Sequence, residues 1–230
     1  MKIISNEKII SRNRKIGQIT TFASLAILAA GLVASFSQNY LNLSFAALLL
    51  GFVLSQVGIY FGSRWGRSPR PDEKLSQALK GLDDKYSLYH YKTSVPHLLV
   101  GPAGIWILMP YPQSGTIYYD TNKERWKQKG GSLYLKIFAQ EGLGRPDLEA
   151  HSYELEMQKY LRKLLGDDVS LPPIQPILVF TNEKTIVQSE NAPMHALNIT
   201  KLKDFIRHQA KSNPVSMDNI KTIQQALPVE

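Results

Sequence analysis

The chain contains no cysteine among its 230 residues. That excludes a disulfide framework, a thiolate nucleophile and a thiolate metal site. A cytosolic protein needs no disulfides, so the composition fits a reducing compartment. No Asp, Glu, Lys or Arg occurs between Ile16 and Ser63. Several enzyme signatures are also missing: no GxGxxG dinucleotide fingerprint, no P-loop, no HExxH and no GxSxG. Internal repeats and low-complexity segments are absent as well. A search for function must therefore begin from hydropathy and charge.

The charge is unevenly placed. The formal net charge is +8 and the pI about 9.5. The first fifteen residues hold Lys2, Lys8, Arg12, Arg14 and Lys15 against Glu7, a balance of 5 − 1 = +4. From Arg64 onward the balance is 22 − 18 = +4. The long C-terminal part is thus only mildly basic, and much of the high pI belongs to a tail beside the uncharged stretch.

That stretch holds two apolar runs, Ile16 to Phe36 and Leu43 to Ser63. Each has about the 20 residues needed to cross a hydrocarbon core. A cleaved signal would have a shorter apolar region and no second span directly behind it. The pattern predicts a transmembrane hairpin over 16–63, with residues 1–15 as a basic tail. Basic residues precede the first run and follow the second at Arg64, Arg67 and Arg70, which predicts both termini in the cytoplasm. Tyr40, Tyr60 and Trp65 suit the interfaces. Gly58 with Gly62, and Ala26 with Ala30, are small-xxx-small pairs open to helix contact within the hairpin or in a homo-oligomer.

A linker over 64–72 leads to a domain over 73–230, with enough residues for one core. Asp72 is a candidate helix cap, and Leu75, Ala78, Leu79 and Leu82 recur at helical spacing. Strands are expected over 86–92, 97–100, 105–109, 116–120, 125–128, 133–138, 174–181, 185–188 and 194–198. Helices are expected from Pro146 to about Leu165, from Lys201 to Lys211 and from Met217 to about Leu227. On the first of these Leu148, Tyr153, Leu155, Tyr160, Leu161, Leu164 and Leu165 form the expected apolar face. The result is a mixed α/β domain with HLLVGPAGIWILMPY, His97 to Tyr111, as its central hairpin.

The order of DEKLSQALKGLDDKYSLY, HLLVGPAGIWIL, Gly115, Trp126, Arg145-Pro146 and IQPILVFTN resembles the nuclease-related domain (NERD) family, which is similar to restriction-endonuclease-like nucleases. The resemblance covers most of the domain and none of the apolar hairpin. It implies a Mg²⁺ held by hard oxygen ligands, which activates water against a phosphodiester. The family pattern has a helix Glu, an Asp before the hairpin His, and a Glu and Lys two apart on the next strand. These fall on Glu73, Pro96, Met109 and Tyr111. Three of the four cannot hold or assist a hard cation: proline has no side-chain acceptor, methionine only a soft thioether, and tyrosine is neutral at pH 7. The family's Asn-Pro-x-x-Gln reads Arg145-Pro146-Asp147-Leu148-Glu149 here. His97 keeps the family's His and is expected to be a hydrogen-bonded strand residue.

The expectation is therefore a nuclease-related domain without its catalytic residues and without a cofactor, acting as a binding or scaffold module at the membrane. The alternative is a Mg²⁺-dependent DNase whose acids have moved to Asp120 and Glu124. Asp83-Asp84 and Asp167-Asp168 read as solvated turns. Lys123, Arg125, Lys127 and Lys129 alternate around Trp126 and are candidates for one basic face toward nucleic acid or anionic lipid headgroups. A solvated edge strand guarded by lysine explains the same residues.

Overall fold

The structure is a computed structural model and describes residues 1–131, 142–166 and 169–229. The expected strand over 133–138 and the Asp167-Asp168 pair lie outside these residues. The chain forms two compact units: Glu7–Arg70, and a second one that joins Met1–Asn6 to the chain from Pro71 onward.

The first unit is a pair of helices, α1 (Glu7–Ala34) and α2 (Leu41–Phe61). Both are long and apolar enough to cross a membrane, with 17% of each apolar window buried. A core helix of a water-soluble domain would bury far more. Phe22, Val33, Phe45 and Leu49 all point outward and are about 70% exposed. Within the two apolar runs the buried positions are small and seven residues apart: Gly17, Ser24 and Gly31 on α1, and Ser44, Gly51 and Gly58 on α2. The helices run antiparallel through this seam. The Ser44 hydroxyl donates to the Gly31 carbonyl at 2.7 Å. A Cβ at Gly58 would lie 2.5 Å from Thr21 Oγ1, and one at Gly51 would lie 2.7 Å from Leu28 Cγ. Gly58 is thus taken up inside the hairpin, whereas Gly62 faces open space and Ala26 and Ala30 are exposed. The Gly58-Gly62 pair does not form a single surface.

The reading of residues 1–15 as a tail is corrected. Lys2–Ser5 is a strand, β1, and α1 already begins at Glu7. Nothing between Glu7 and Ile16 breaks a helix, so the basic residues simply extend the apolar one. β1 pairs in parallel with β2 (Ser87–His90), in the register Ile3↔Leu88 and Ile4↔Tyr89. The linker is shorter than expected, because α3 (Pro71–Ala78) starts with proline in its first turn. Asp72 is therefore buried within that turn rather than capping it from outside.

The main sheet has six strands in the order β1-β2-β3-β4-β7-β9. β3 (His97–Gly101) and β4 (Gly104–Tyr111) stand at its centre, as their unbroken apolar sequence implies. Gly104 takes a φ of +100° to close the turn between them. β7 (Ile174–Phe180) runs parallel to β4, and β9 (His195–Asn198) parallel to β7. A smaller sheet orders β6 (Arg125–Lys129), β5 (Thr116–Asp120) and β8 (Ile186–Gln188).

Helices cover both faces of the main sheet. On one face α4 (Pro146–Leu165) and α6 (Met217–Ala226) pack over Leu98, Val100, Ile105, Ile107, Met109, Leu178 and Phe180. On the other, α3 and α5 (Leu202–Ser212) pack over Leu88, Leu99, Trp106, Leu108, Ile177 and Val179. The buried stripe of α4 is Ala150, Met157 and Leu161, at i, i+7 and i+11. Leu148, Leu155 and Leu164 of the expected face are exposed instead. They lie outside the stripe that the 3.6-residue period turns toward the sheet.

Candidate functional site

β3 and β4 pair antiparallel with Leu98 opposite Ile107 and Leu99 opposite Trp106. Pro96 lies in the bend just before β3, outside the paired residues. Side chains two apart share a face of a strand, so Met109 and Tyr111 both belong to the α4 side. Met109 is 3% exposed and part of the apolar core there. Tyr111 is half-buried, with its ring tilted against Phe180 at 5.8 Å. Its hydroxyl donates to Glu149 Oε2 at 2.5 Å, and the Tyr153 hydroxyl donates to Glu149 Oε1 at 3.1 Å.

The fold thus brings together Tyr111 at the end of β4 and Glu149 in the first turn of α4. Reading the sequence missed this pairing. The sequence carries no local signal of it, since the two residues lie 38 positions apart. Both oxygens of Glu149 already accept a phenolic hydrogen bond. With Pro96 and Met109 as the other contributors, the residues present do not fit Mg²⁺, which favours octahedral oxygen ligation.

The other acids are committed elsewhere. Glu73 sits on α3, whose Leu75 packs on the face of the sheet opposite Met109. Asp120 forms an ion pair with Lys127 at 2.5 Å and also accepts from the backbone N–H of Asn122 and Lys123. The hydrogen bond from Lys127 leads the causes that hold its carboxyl below the usual range. Glu124 is exposed in the turn after it, at a φ of +45°. Among the described residues no group of three or more His, Asp or Glu is placed to share a metal.

A different polar chain is buried on the α3 side. Ser76 Oγ lies 2.9 Å from His90 Nε2, and His90 Nδ1 lies 2.8 Å from His97 Nδ1. The β2–β3 register sets the two histidines opposite each other, and both are at most 2% exposed. One Nδ1 must donate and the other accept, so the pair holds a single proton between its rings. Burial, followed by the neighbouring His90, holds His97 well below the usual histidine range. His97 is hydrogen-bonded, as its place in the strand suggested. His90 and Ser76 were not singled out. The seven-residue spacing of two histidines across a turn was the available clue.

The basic strip divides. Arg125, Lys127 and Lys129 alternate along β6, an edge strand, and Trp126 points the other way into the core at 3% exposure. Lys123 does not continue the row, because it lies in the turn fastened by Asp120. Lys127 spends its charge on Asp120, which leaves Arg125 and Lys129 as the exposed cations of the strand.

Comparisons of the chain with models of known protein families, with characterised proteins and with solved structures find no match.

Proposed function

We propose that the chain is a membrane-anchored, cytoplasmic, nuclease-related domain that binds rather than cleaves. The order α3, β2, β3, β4, α4, β7, with β4 and β7 parallel, supports the resemblance to restriction-endonuclease-like nucleases. The observation that carries the loss of cleavage is the Tyr111–Glu149 hydrogen bond beside a core Met109. A single carboxylate, held by two tyrosine hydroxyls beside an apolar core, stands where that chemistry needs converging acids.

Placement in the membrane with both ends on the cytoplasmic side is supported twice. The cations flank the hairpin at one end. In addition, the strand before α1 and the strand after α2 pair with each other, which requires an even number of crossings between them. The partner on the domain side is nucleic acid, met through Arg125 and Lys129.

The test is a cleavage and binding assay on the full chain in detergent. No Mg²⁺- or Mn²⁺-dependent cleavage of DNA is expected, nor any rise in melting temperature from either ion beyond a salt control. Weak DNA binding should fall steeply with salt, and Arg125→Ala with Lys129→Ala should flatten that slope. Metal-dependent cleavage abolished by changing Asp120, Glu124 or Glu73 would replace this reading with a nuclease whose acids have moved.

A further inference from the structure

The hairpin carries more cations at one end than a simple anchor needs, and they are unusually bare. From Lys8 to Arg70 there is no Asp or Glu. Lys8, Arg12, Arg14, Lys15, Arg64 and Arg67 are all exposed. Among the described residues none of the six forms an ion pair with a carboxylate. Arg64 is held instead by an aromatic group: its guanidinium lies 4.3 Å from the Tyr60 ring centroid and donates to the Tyr60 hydroxyl at 2.7 Å. Trp65 packs beside it, 5.2 Å from Phe61 and 6.2 Å from Tyr60.

Depth decides what these groups meet, on the reading above that α1 and α2 span a membrane. The uncharged run of α1 starts at Ile16. At about 1.5 Å of rise per residue, Arg12, Arg14 and Lys15 stand within about 6 Å of it. That matches the headgroup layer, about 5–8 Å on each side of the hydrocarbon core. Tyr60 and Trp65 mark the same level at the end of α2, since aromatic rings of this kind settle at the membrane–water boundary. A polyanion in solution reaches the cations only through the headgroups, whereas a lipid phosphate is already beside them. Four of the six are arginines, whose planar fork suits the two oxygens of a phosphate.

We propose that this end of the hairpin, formed by Arg12, Arg14, Lys15, Arg64 and Arg67, is a binding site for the phosphate headgroups of anionic phospholipids. The domain is then held against acidic membrane regions by its own anchor, and Arg125 and Lys129 stay available to another ligand.

The test reconstitutes the full chain into vesicles of equal phosphatidylcholine and phosphatidylglycerol. The chain is extracted in mild detergent and the retained lipid is quantified. The ratio of retained phosphatidylglycerol to phosphatidylcholine should exceed its input value by about threefold and should decline as salt screens the site. The joint variant Arg12→Gln, Arg14→Gln, Lys15→Gln, Arg67→Gln spares the Arg64–Tyr60 contact and should return to the input ratio. If that variant fails to insert, the salt series on the unchanged protein still decides. An input ratio for the unchanged protein, enrichment indifferent to salt, or enrichment lost only in Arg125→Gln with Lys129→Gln would overturn the proposal. A chain that never enters the vesicles would instead overturn the membrane reading beneath it.

Discussion

The Tyr111 hydroxyl and the Glu149 carboxylate are partners across 38 positions of sequence, joining the end of β4 to the first turn of α4. A hydrogen bond between exposed side chains stabilises by about 1 kcal/mol. Tyr111→Phe and Glu149→Gln should each lower stability by about that amount, and the two losses should not add. A double-mutant cycle on denaturant unfolding measures this. Strict additivity would show that the pair is not coupled.

The buried histidine pair predicts acid sensitivity. The fold holds His97 well below its usual range, chiefly through burial. Its contribution to stability is therefore complete above the unfolded value of about 6.5. As pH falls through that value, the unfolded chain takes the proton first and stability declines, by up to about 1.4 kcal/mol per pH unit for one group. Melting of the full chain in detergent from pH 7.5 to pH 5 should show the decline. His97→Asn should melt lower at neutral pH but with a shallower dependence, and an unchanged slope would assign the effect to other groups.

The hairpin seam predicts a sharp difference between neighbouring small residues. Gly58→Leu should separate α1 from α2, because Thr21 occupies the space beside it. Ala26→Leu, on an exposed face, should leave the pairing intact. Cysteines placed at Leu28 and Gly51, which meet across the seam, would report the separation in each background by their crosslinking yield. Equal yields in the two variants would refute the seam.

Topology can be read with fusions. A reporter after Glu230 should be active only on the cytoplasmic side, and a modification site placed in the loop at Gln38-Asn39 only on the opposite one. The same side for both would exclude a crossing hairpin.

Much of the fold was legible because its signals are local. The β3–β4 hairpin declares itself through unbroken apolar runs between Gly-Pro punctuation, and the two long helices through 48 uncharged residues. β1 was not legible: four residues, KIIS, carry too little pattern, and their strand character comes from a partner more than 80 positions away. The stripe of α4 was legible only in part: Leu161, Tyr153, Tyr160 and Leu165 pack on the core, but Leu148, Leu155 and Leu164 do not. Leucines abound on it, but the sheet selects Ala150, Met157 and Leu161 by geometry rather than by hydrophobicity. At the candidate site, the absence of acids at Pro96, Met109 and Tyr111 could be read directly. The Glu149 contact and the His90–His97 bond could not, since both depend on which elements become neighbours.

The placement of β1 also sets an order of assembly. Lys2–Ser5 leaves the ribosome before Ser87–His90, so it has no sheet to join until that strand has been made. The whole α1–α2 hairpin is synthesised in between. Completion of the sheet must therefore wait until the whole hairpin has been made. A fragment beginning at Pro71 would leave the outer edge of β2 bare, a ready template for pairing with another chain. Lys2–Ser5 and the strand it completes are thus separated in synthesis by the whole helical pair.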